Sequence, residues 1–188
     1  MQAEEFKTRF MLQQIQQPHR FPANGRERQA GVLLALQPTD AGLSVLLTQR
    51  TAHLAAHPNQ ISFPGGKFDQ TDANLTVTAL REAWEEICLP KQQVDVLGQL
   101  PAINTLTGFI ITPVVGLIPA TFRPQAAPGE VAQCLHVPFN FLLQPQHRLF
   151  QSFSRRGHQR NICFIPWQDR LIWGATAAII DSLCRQLS

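Results

Sequence analysis

A chain of 188 residues with 44% hydrophobic content is the size of one ordinary domain and can bury a sizeable core. No window approaches the roughly 18 apolar residues of a bilayer-crossing helix, and the net charge of +3 is spread along the chain, unlike the dense basic stripe of a nucleic-acid binder. The cysteines Cys88, Cys134, Cys163 and Cys184 are widely spaced with no C-x-x-C pair, so reduced thiols are expected and zinc is not.

The opening MQAEEFKTRF carries acidic residues and no apolar run, so no secretory signal is expected and the cytoplasm is the expected compartment. Residues 3–16 form a short amphipathic pattern with Phe6, Phe10, Met11, Leu12 and Ile15 as a stripe. HRFPANGRER reads as a loop from its Pro, Asn and Gly. Gln29–Leu36 and Leu43–Thr48 are apolar runs separated by Pro38-Thr39-Asp40-Ala41-Gly42, a strand-turn-strand signal. The turn-rich segment His57–Gly66 then leads to a helix with Asp72 as a plausible N-cap and a stop at Pro90. Val94–Leu100 and Phe109–Ile118 predict strands, and Glu130–Cys134 and Phe139–Leu143 short helical turns. Leu149–Phe153 and Ile162–Pro166 predict a hairpin, and Gly174–Leu187 a final apolar helix. The hairpin turn carries Arg155, Arg156, His158 and Arg160, which read either as a solvated turn or as a phosphate site.

The most informative segment is GGKFDQTDANLTVTALREAWEEICL, from Gly65 to Leu89. With about 100° per residue and Glu82 at zero, Glu86 falls near 40° and Glu85 near −60°. Thr78 and Arg81 share that side, whereas Val77, Leu80, Ala83, Trp84 and Ile87 fall on the opposite arc, so Trp84 is expected in the core. Like charges at i,i+4 each cost about 0.2–0.5 kcal/mol, so something positive is expected there. Oxygen-only donors suit Mg²⁺ or Mn²⁺.

The segment resembles the Nudix box, G-x5-E-x7-R-E-U-x-E-E-x-G-U with U a bulky aliphatic residue. Gly66, Arg81, Glu82, Glu85, Glu86 and Leu89 match; Ala83 fills the first U, Asp72 stands for the first Glu and Cys88 for the Gly. One extra residue separates Asp72 from Arg81. A narrower resemblance, to the coenzyme A diphosphatase branch, rests on Leu46-Leu47-Thr48-Gln49-Arg50, His53-Leu54, His57 and Gln60-Ile61-Ser62-Phe63-Pro64-Gly65-Gly66. Thr107-Gly108-Phe109, Thr112-Pro113-Val114-Val115-Gly116 and Ile172-Trp173-Gly174-Ala175-Thr176-Ala177 continue it. That branch normally has Gly where this chain has Asn59.

The resemblance implies an α/β (α+β) fold, the Nudix α/β/α sandwich with a mixed β-sheet. It is expected as a single domain over 1–188, with a core at about 28–165 and the helices 3–16 and 174–187 packed on it. It also implies a metal site of Glu82, Glu86 and Glu85 with a backbone carbonyl near Gly65 or Gly66, because glycines let backbone come close. Arg81 is expected to orient a glutamate, Glu85 being its i+4 neighbour. The general base is open between Glu86, Glu85 and Glu130, the last also readable as a surface residue; Asp72 is open between an N-cap, a partner of Arg81 and a catalytic duty. Arg50, His57 and Gln60 are candidates for gripping the substrate; His53 and His57 have metal-pair spacing but no third ligand.

Cys88 in place of Gly is expected to cost roughly 1 kcal/mol if the helix ends left-handed, unless Pro90 ends it differently. The implied activity is metal-dependent hydrolysis of the diphosphate of coenzyme A or acyl-CoA to 3′,5′-ADP and 4′-phosphopantetheine, with Mg²⁺ or Mn²⁺ as cofactor. The alternatives are cleavage of another nucleoside diphosphate derivative, such as ADP-ribose or a dinucleotide, or a nucleotide-sensing module without turnover. The expected partner is a small-molecule substrate, without nucleic acid or membrane; family likeness adds a homodimer, on which no residue bears.

Overall fold

The computed structural model describes residues 1–12, 28–54, 57–105, 107–155 and 158–187. The chain runs α1 (Ala3–Leu12), β1 (Arg28–Thr39), β2 (Gly42–Arg50), β3 (Ile61–Ser62), β4 (Gly65–Lys67) and α2 (Leu75–Ile87). It continues with β5 (Asp95–Gln99), β6 (Ile103–Asn104), β7 (Phe109–Leu117), β8 (Val131–Pro138) and α3 (Phe139–Leu143). β9 (Leu149–Arg155), β10 (His158–Trp167), β11 (Arg170–Trp173) and α4 (Gly174–Gln186) complete it.

β1 and β2 pair antiparallel through a turn tighter than the sequence implied: Pro38 pairs with Leu43 and Thr39 with Gly42. β1 also runs parallel to β7, which pairs antiparallel with β5 and β6. β2 carries β3 and β8, and β4 lies against β1. The result is an eight-stranded mixed sheet. Its central strands are apolar runs rather than alternating ones because both faces are covered. Leu33, Ala35, Leu46 and Val114 pack against Ala79, Ala83 and Ile87 of α2. Their neighbours Leu34, Leu36, Val45, Leu47 and Val115 join a second core with Phe6, Phe139, Ile179, Ile180 and Leu183. Successive strand residues thus feed opposite layers. This is the expected α/β/α arrangement.

β9, β10 and β11 form a separate three-stranded antiparallel sheet. Cys163, Ile165 and Ile172 turn inward and are buried, while Leu149, Phe153, Leu171 and Trp173 are exposed. The Thr176 hydroxyl donates to the Ile61 carbonyl at 3.1 Å and ties the start of α4 to β3. No helix among the described residues is long and apolar enough to cross a membrane.

Three expectations need correction. Glu130–Cys134 is not helical: Val131 opens β8, whose Val131, Leu135 and Val137 are buried against β2. That period-2 alternation is a strand signal. In α1, Phe6 and Phe10 are buried but Met11 and Leu12 are exposed; the rest of the expected helix, residues 13–16 with Ile15, lies outside the described residues. Trp84 is 54% exposed rather than in the core. The loop expected over HRFPANGRER lies outside the described residues up to position 27, as do the side chains of Arg155, Arg156, His158 and Arg160.

Candidate active site

The site is built where α2 crosses β1 and β4. A Cβ at Gly31 of β1 would overlap the Leu75 carbonyl oxygen and crowd Ala79 and Thr78, so helix and strand touch backbone to backbone. Such closeness admits only small residues on the helix underside, and Ala79 and Ala83 are fully buried there. With Thr78, Glu86 and Ile87 they make the buried stripe of α2, which is centred at about 70° when Glu82 is at zero. The buried stripe and the acidic face therefore overlap at Glu86, and Trp84 is rotated out to solvent.

Asn74 is the N-cap, accepting from the Val77 amide at 3.0 Å; Asp72 is not. The far end of the helix closes through Cys88 in the left-handed region, φ 56. Its amide donates to the Trp84 carbonyl at 3.0 Å, that of Leu89 to Ala83 at 3.3 Å, and Leu89 is buried. Cys88 thus keeps the conformation that glycine would take, and Pro90 does not end the helix another way.

Glu86 is 5% exposed, and its Oε2 has no hydrogen-bond partner among the described residues. Burial, then the nearby Glu82, push its pKa up to about 8; Arg50 and the Gly65 amide, which hydrogen-bonds to it, pull the other way. Glu82 is also raised, chiefly by burial, and Arg81 opposes the shift. Glu130 adds negative potential at both carboxylates, although it is exposed. Glu82 fills the space over Gly66: a Cβ there would overlap the carboxylate. Gly65 is required by the same kind of crowding, against Gly31 and Val32.

Arg81 gathers the remaining acids. Its Nε and Nη2 donate to the two oxygens of Asp72, each at 3.1 Å, and Nη2 also reaches the Lys67 carbonyl at 3.1 Å. Nη1 lies 2.9 Å from Glu82 and 3.0 Å from Glu85. Asp72 is buried, accepts from the Thr78 hydroxyl at 2.8 Å, and its pKa is lowered, first by its bonds to Arg81. Of the alternatives open for Asp72, the partner of Arg81 is the one observed.

The loop before β8 is fastened to α2: the Gln125 and Ala127 amides donate to the Ile87 and Glu86 carbonyls at 3.1 and 2.9 Å. Thr51 completes the fastening, its amide donating to the Glu130 carbonyl at 3.0 Å and its hydroxyl to Gly129 at 2.8 Å. Glu130 is thereby held at the rim of the carboxylate cluster. Arg50, beside it at a register shift of β2, donates its amide to the Gln60 carbonyl at 3.0 Å.

His57 and Gln60 sit on a turn next to this rim, in which His57 and Asn59 have φ 55 and 59. Gln49 donates to the Asn59 carbonyl at 3.3 Å and accepts from Gln133. Gln133 belongs to no motif read from the sequence, since its part depends on β8 lying beside β2. His53 and His57 are exposed, and among the described residues no three His, Cys, Asp or Glu side chains close on a common point. For the acids the reason is visible: Arg81 holds Glu82 and Glu85.

The donor set nonetheless fits a hard divalent cation. An orphaned buried carboxylate oxygen, a second carboxylate over a glycine cradle and an all-oxygen chemistry are what such an ion takes.

A family model described as the NUDIX domain matches residues 25–156, most of the chain. The chain is a Nudix hydrolase. As a member of that family it is a pyrophosphohydrolase. It is 41% identical over 187 residues to the uncharacterised Nudix hydrolase NudL of Photorhabdus laumondii, covering 97% of this chain and 96% of that one. NudL of Pectobacterium atrosepticum is 41% identical over 189 residues, covering 98% and 94%. Among solved structures, the NUDIX domain of Shewanella oneidensis NrtR, complexed with ADP ribose, superposes with a TM-score of 0.55 at 18% identity over the whole of both chains. The C. elegans Ap4A hydrolase binary complex gives 0.51 at 17% identity, covering 59% of this chain and 80% of that one. These structural likenesses bear on the fold, and they agree with the mixed sheet and flanking helices of this Nudix hydrolase.

Proposed function

We propose that this Nudix hydrolase cleaves the diphosphate of coenzyme A or an acyl derivative, releasing 3′,5′-ADP and a 4′-phosphopantetheine. The observation that carries the reading is the turn at His57–Gln60. Asn59 departs from the branch pattern, but its φ of 59 is one that glycine takes freely and asparagine tolerates among side-chain-bearing residues. The departure therefore preserves the turn that presents His57 and Gln60, and the rest of the signature stands. These two residues and Arg50 are the proposed grip on the coenzyme A portion. The proposed site of action is the cytoplasm, where reduced thiols such as those of Cys88, Cys134 and Cys163 are the rule.

Glu82 and Glu86, with Glu85 and the Gly66 carbonyl, are the proposed holders of Mg²⁺ or Mn²⁺. Bound there, the ion would neutralise phosphate charge and make hydroxide available near neutral pH. The protein's own part is positioning and proton handling. Arg81 fixes Glu82 and Glu85, and Glu130 at the rim takes the proton of the attacking water, being exposed and within electrostatic reach of Glu82 and Glu86.

Product analysis tests the reading, with coenzyme A, ADP-ribose and diadenosine polyphosphates each supplied with Mg²⁺, Mn²⁺ or EDTA. Metal-dependent release of 3′,5′-ADP from coenzyme A, faster than turnover of the others, is expected. Faster cleavage of another substrate would discard the coenzyme A assignment and keep the chemistry. No turnover of any of them would favour a sensing module.

A further inference from the structure

The three-stranded sheet carries an apolar outer face. Cys163, Ile165 and Ile172 turn inward and are buried, so their neighbours along β10 and β11 stand on the other side. There Leu149, Phe164 and Trp173 lie opposite one another across β9, β10 and β11. Leu149 is 52% and Trp173 43% exposed; Leu171, 47% exposed, pairs with Pro166 on the same side. A contiguous exposed apolar face rarely stands idle on a soluble domain and marks a binding surface.

One end of this face adjoins the substrate turn. Trp173 precedes Gly174, and a Cβ at Gly174 would lie 3.8 Å from Nε2 of Gln60. The bond from the Thr176 hydroxyl to the Ile61 carbonyl ties the same junction to β3. The row from Trp173 over Phe164 to Leu149 therefore starts beside a residue of the proposed grip and crosses two strand spacings, roughly 10 Å.

We propose that this face binds the acyl chain of an acyl-CoA substrate. The proposal rests on the coenzyme A reading above and names the part of the substrate that the grip leaves over. An acyl group hangs from the pantetheine sulfur, at the opposite end of the molecule from the 3′,5′-ADP, so its site belongs beyond the grip and not among the carboxylates. The chemistry of the face selects an alkyl chain. Leu149, Phe164, Pro166 and Leu171 line an open hollow in which Gln151 is the one polar side chain among the described residues. A nucleobase stacked there would leave its ring nitrogens and amino group largely without partners, whereas an alkyl chain has none to satisfy. Continuity with Gln60 favours substrate over a second copy of this chain, which has no need of that contact.

The test compares hydrolysis of coenzyme A, acetyl-CoA and octanoyl-CoA by the full chain. Octanoyl-CoA is expected to exceed coenzyme A in kcat/KM by about tenfold or more, chiefly through KM, with acetyl-CoA close to coenzyme A. Trp173→Ala and Leu171→Ser are each expected to cut the octanoyl advantage by about threefold or more. A variant that merely folds badly lowers all three substrates together and leaves their ratio unchanged.

Equal kcat/KM for octanoyl-CoA and coenzyme A in the wild type, or an octanoyl advantage that both variants keep, would overturn the acyl site and leave the coenzyme A reading intact. A wild-type dimer that Leu171→Ser dissociates in sedimentation, with the octanoyl advantage unchanged, would assign the face to a second copy instead. Cleavage of none of the three substrates would overturn the acyl site and the coenzyme A reading together.

Discussion

The carboxylate of Glu82 lies directly over the Cα of Gly66, in the space a side chain there would occupy. The requirement for glycine is therefore about room for an acid, not about a turn. Gly66→Ala is expected to displace Glu82 and lower kcat/KM by about a hundredfold or more, roughly 3 kcal/mol of transition-state stabilisation. The fold should survive, since the displaced group is partly exposed. Circular dichroism and steady-state kinetics together check this, and an active Gly66→Ala would mean that Glu82 does not work from the position seen.

The raised pKa of Glu86 makes stability depend on pH in the absence of metal. The folded protein keeps a proton up to about pH 8, while the unfolded chain releases it in the ordinary carboxylate range. Stability is therefore full below that range and declines as pH rises towards 8, by an amount on the order of a few kcal/mol. Denaturant melts in EDTA between pH 5 and pH 9 should show the decline in wild type and not in Glu86→Gln. Added Mg²⁺ should help most at the alkaline end. A flat wild-type profile would contradict the burial of a protonated Glu86.

Cys88 holds a left-handed conformation that costs a residue with a Cβ about 1–2 kcal/mol. Cys88→Gly removes that cost and adds some backbone entropy to the unfolded chain, leaving an expected net gain of about 0.5–1 kcal/mol. Thermal melts read it directly. A lower Tm would show that the thiol makes a contribution that its exposure does not suggest.

Trp84, placed among core residues by its angular position, is largely exposed. Trp84→Ala should cost less than about 1 kcal/mol, against about 3–5 for a truly buried tryptophan. A large loss in a denaturant titration would put the side chain back in the core.

Much of the architecture could be read from pattern alone, for particular reasons. The apolar runs of β1, β2 and β7 and the glycine-proline punctuation between them carried the sheet, and the spaced carboxylates carried α2. Trp84 is exposed although the arc opposite an acidic face predicts a core position. The backbone contact at Gly31 instead rotates the buried stripe so that it includes Glu86. The start of β8 differs from the helical turn predicted there because its pairing with β2 is a long-range event with a short local signature. The site's acids were legible individually, but the division of Arg81 between Asp72 and the glutamates was not. It depends on how far the chain between Gly66 and α2 folds under the helix.

The fastening of residues 125–130 to α2 and Thr51 also limits how this protein's relatives can vary. A residue gained or lost between Ala127 and Glu130 would shift the rim acid by about 3.5 Å. Length variation in this connection is therefore expected to collect at 121–124, ahead of the first fastening, where extra chain leaves Glu130 where it is.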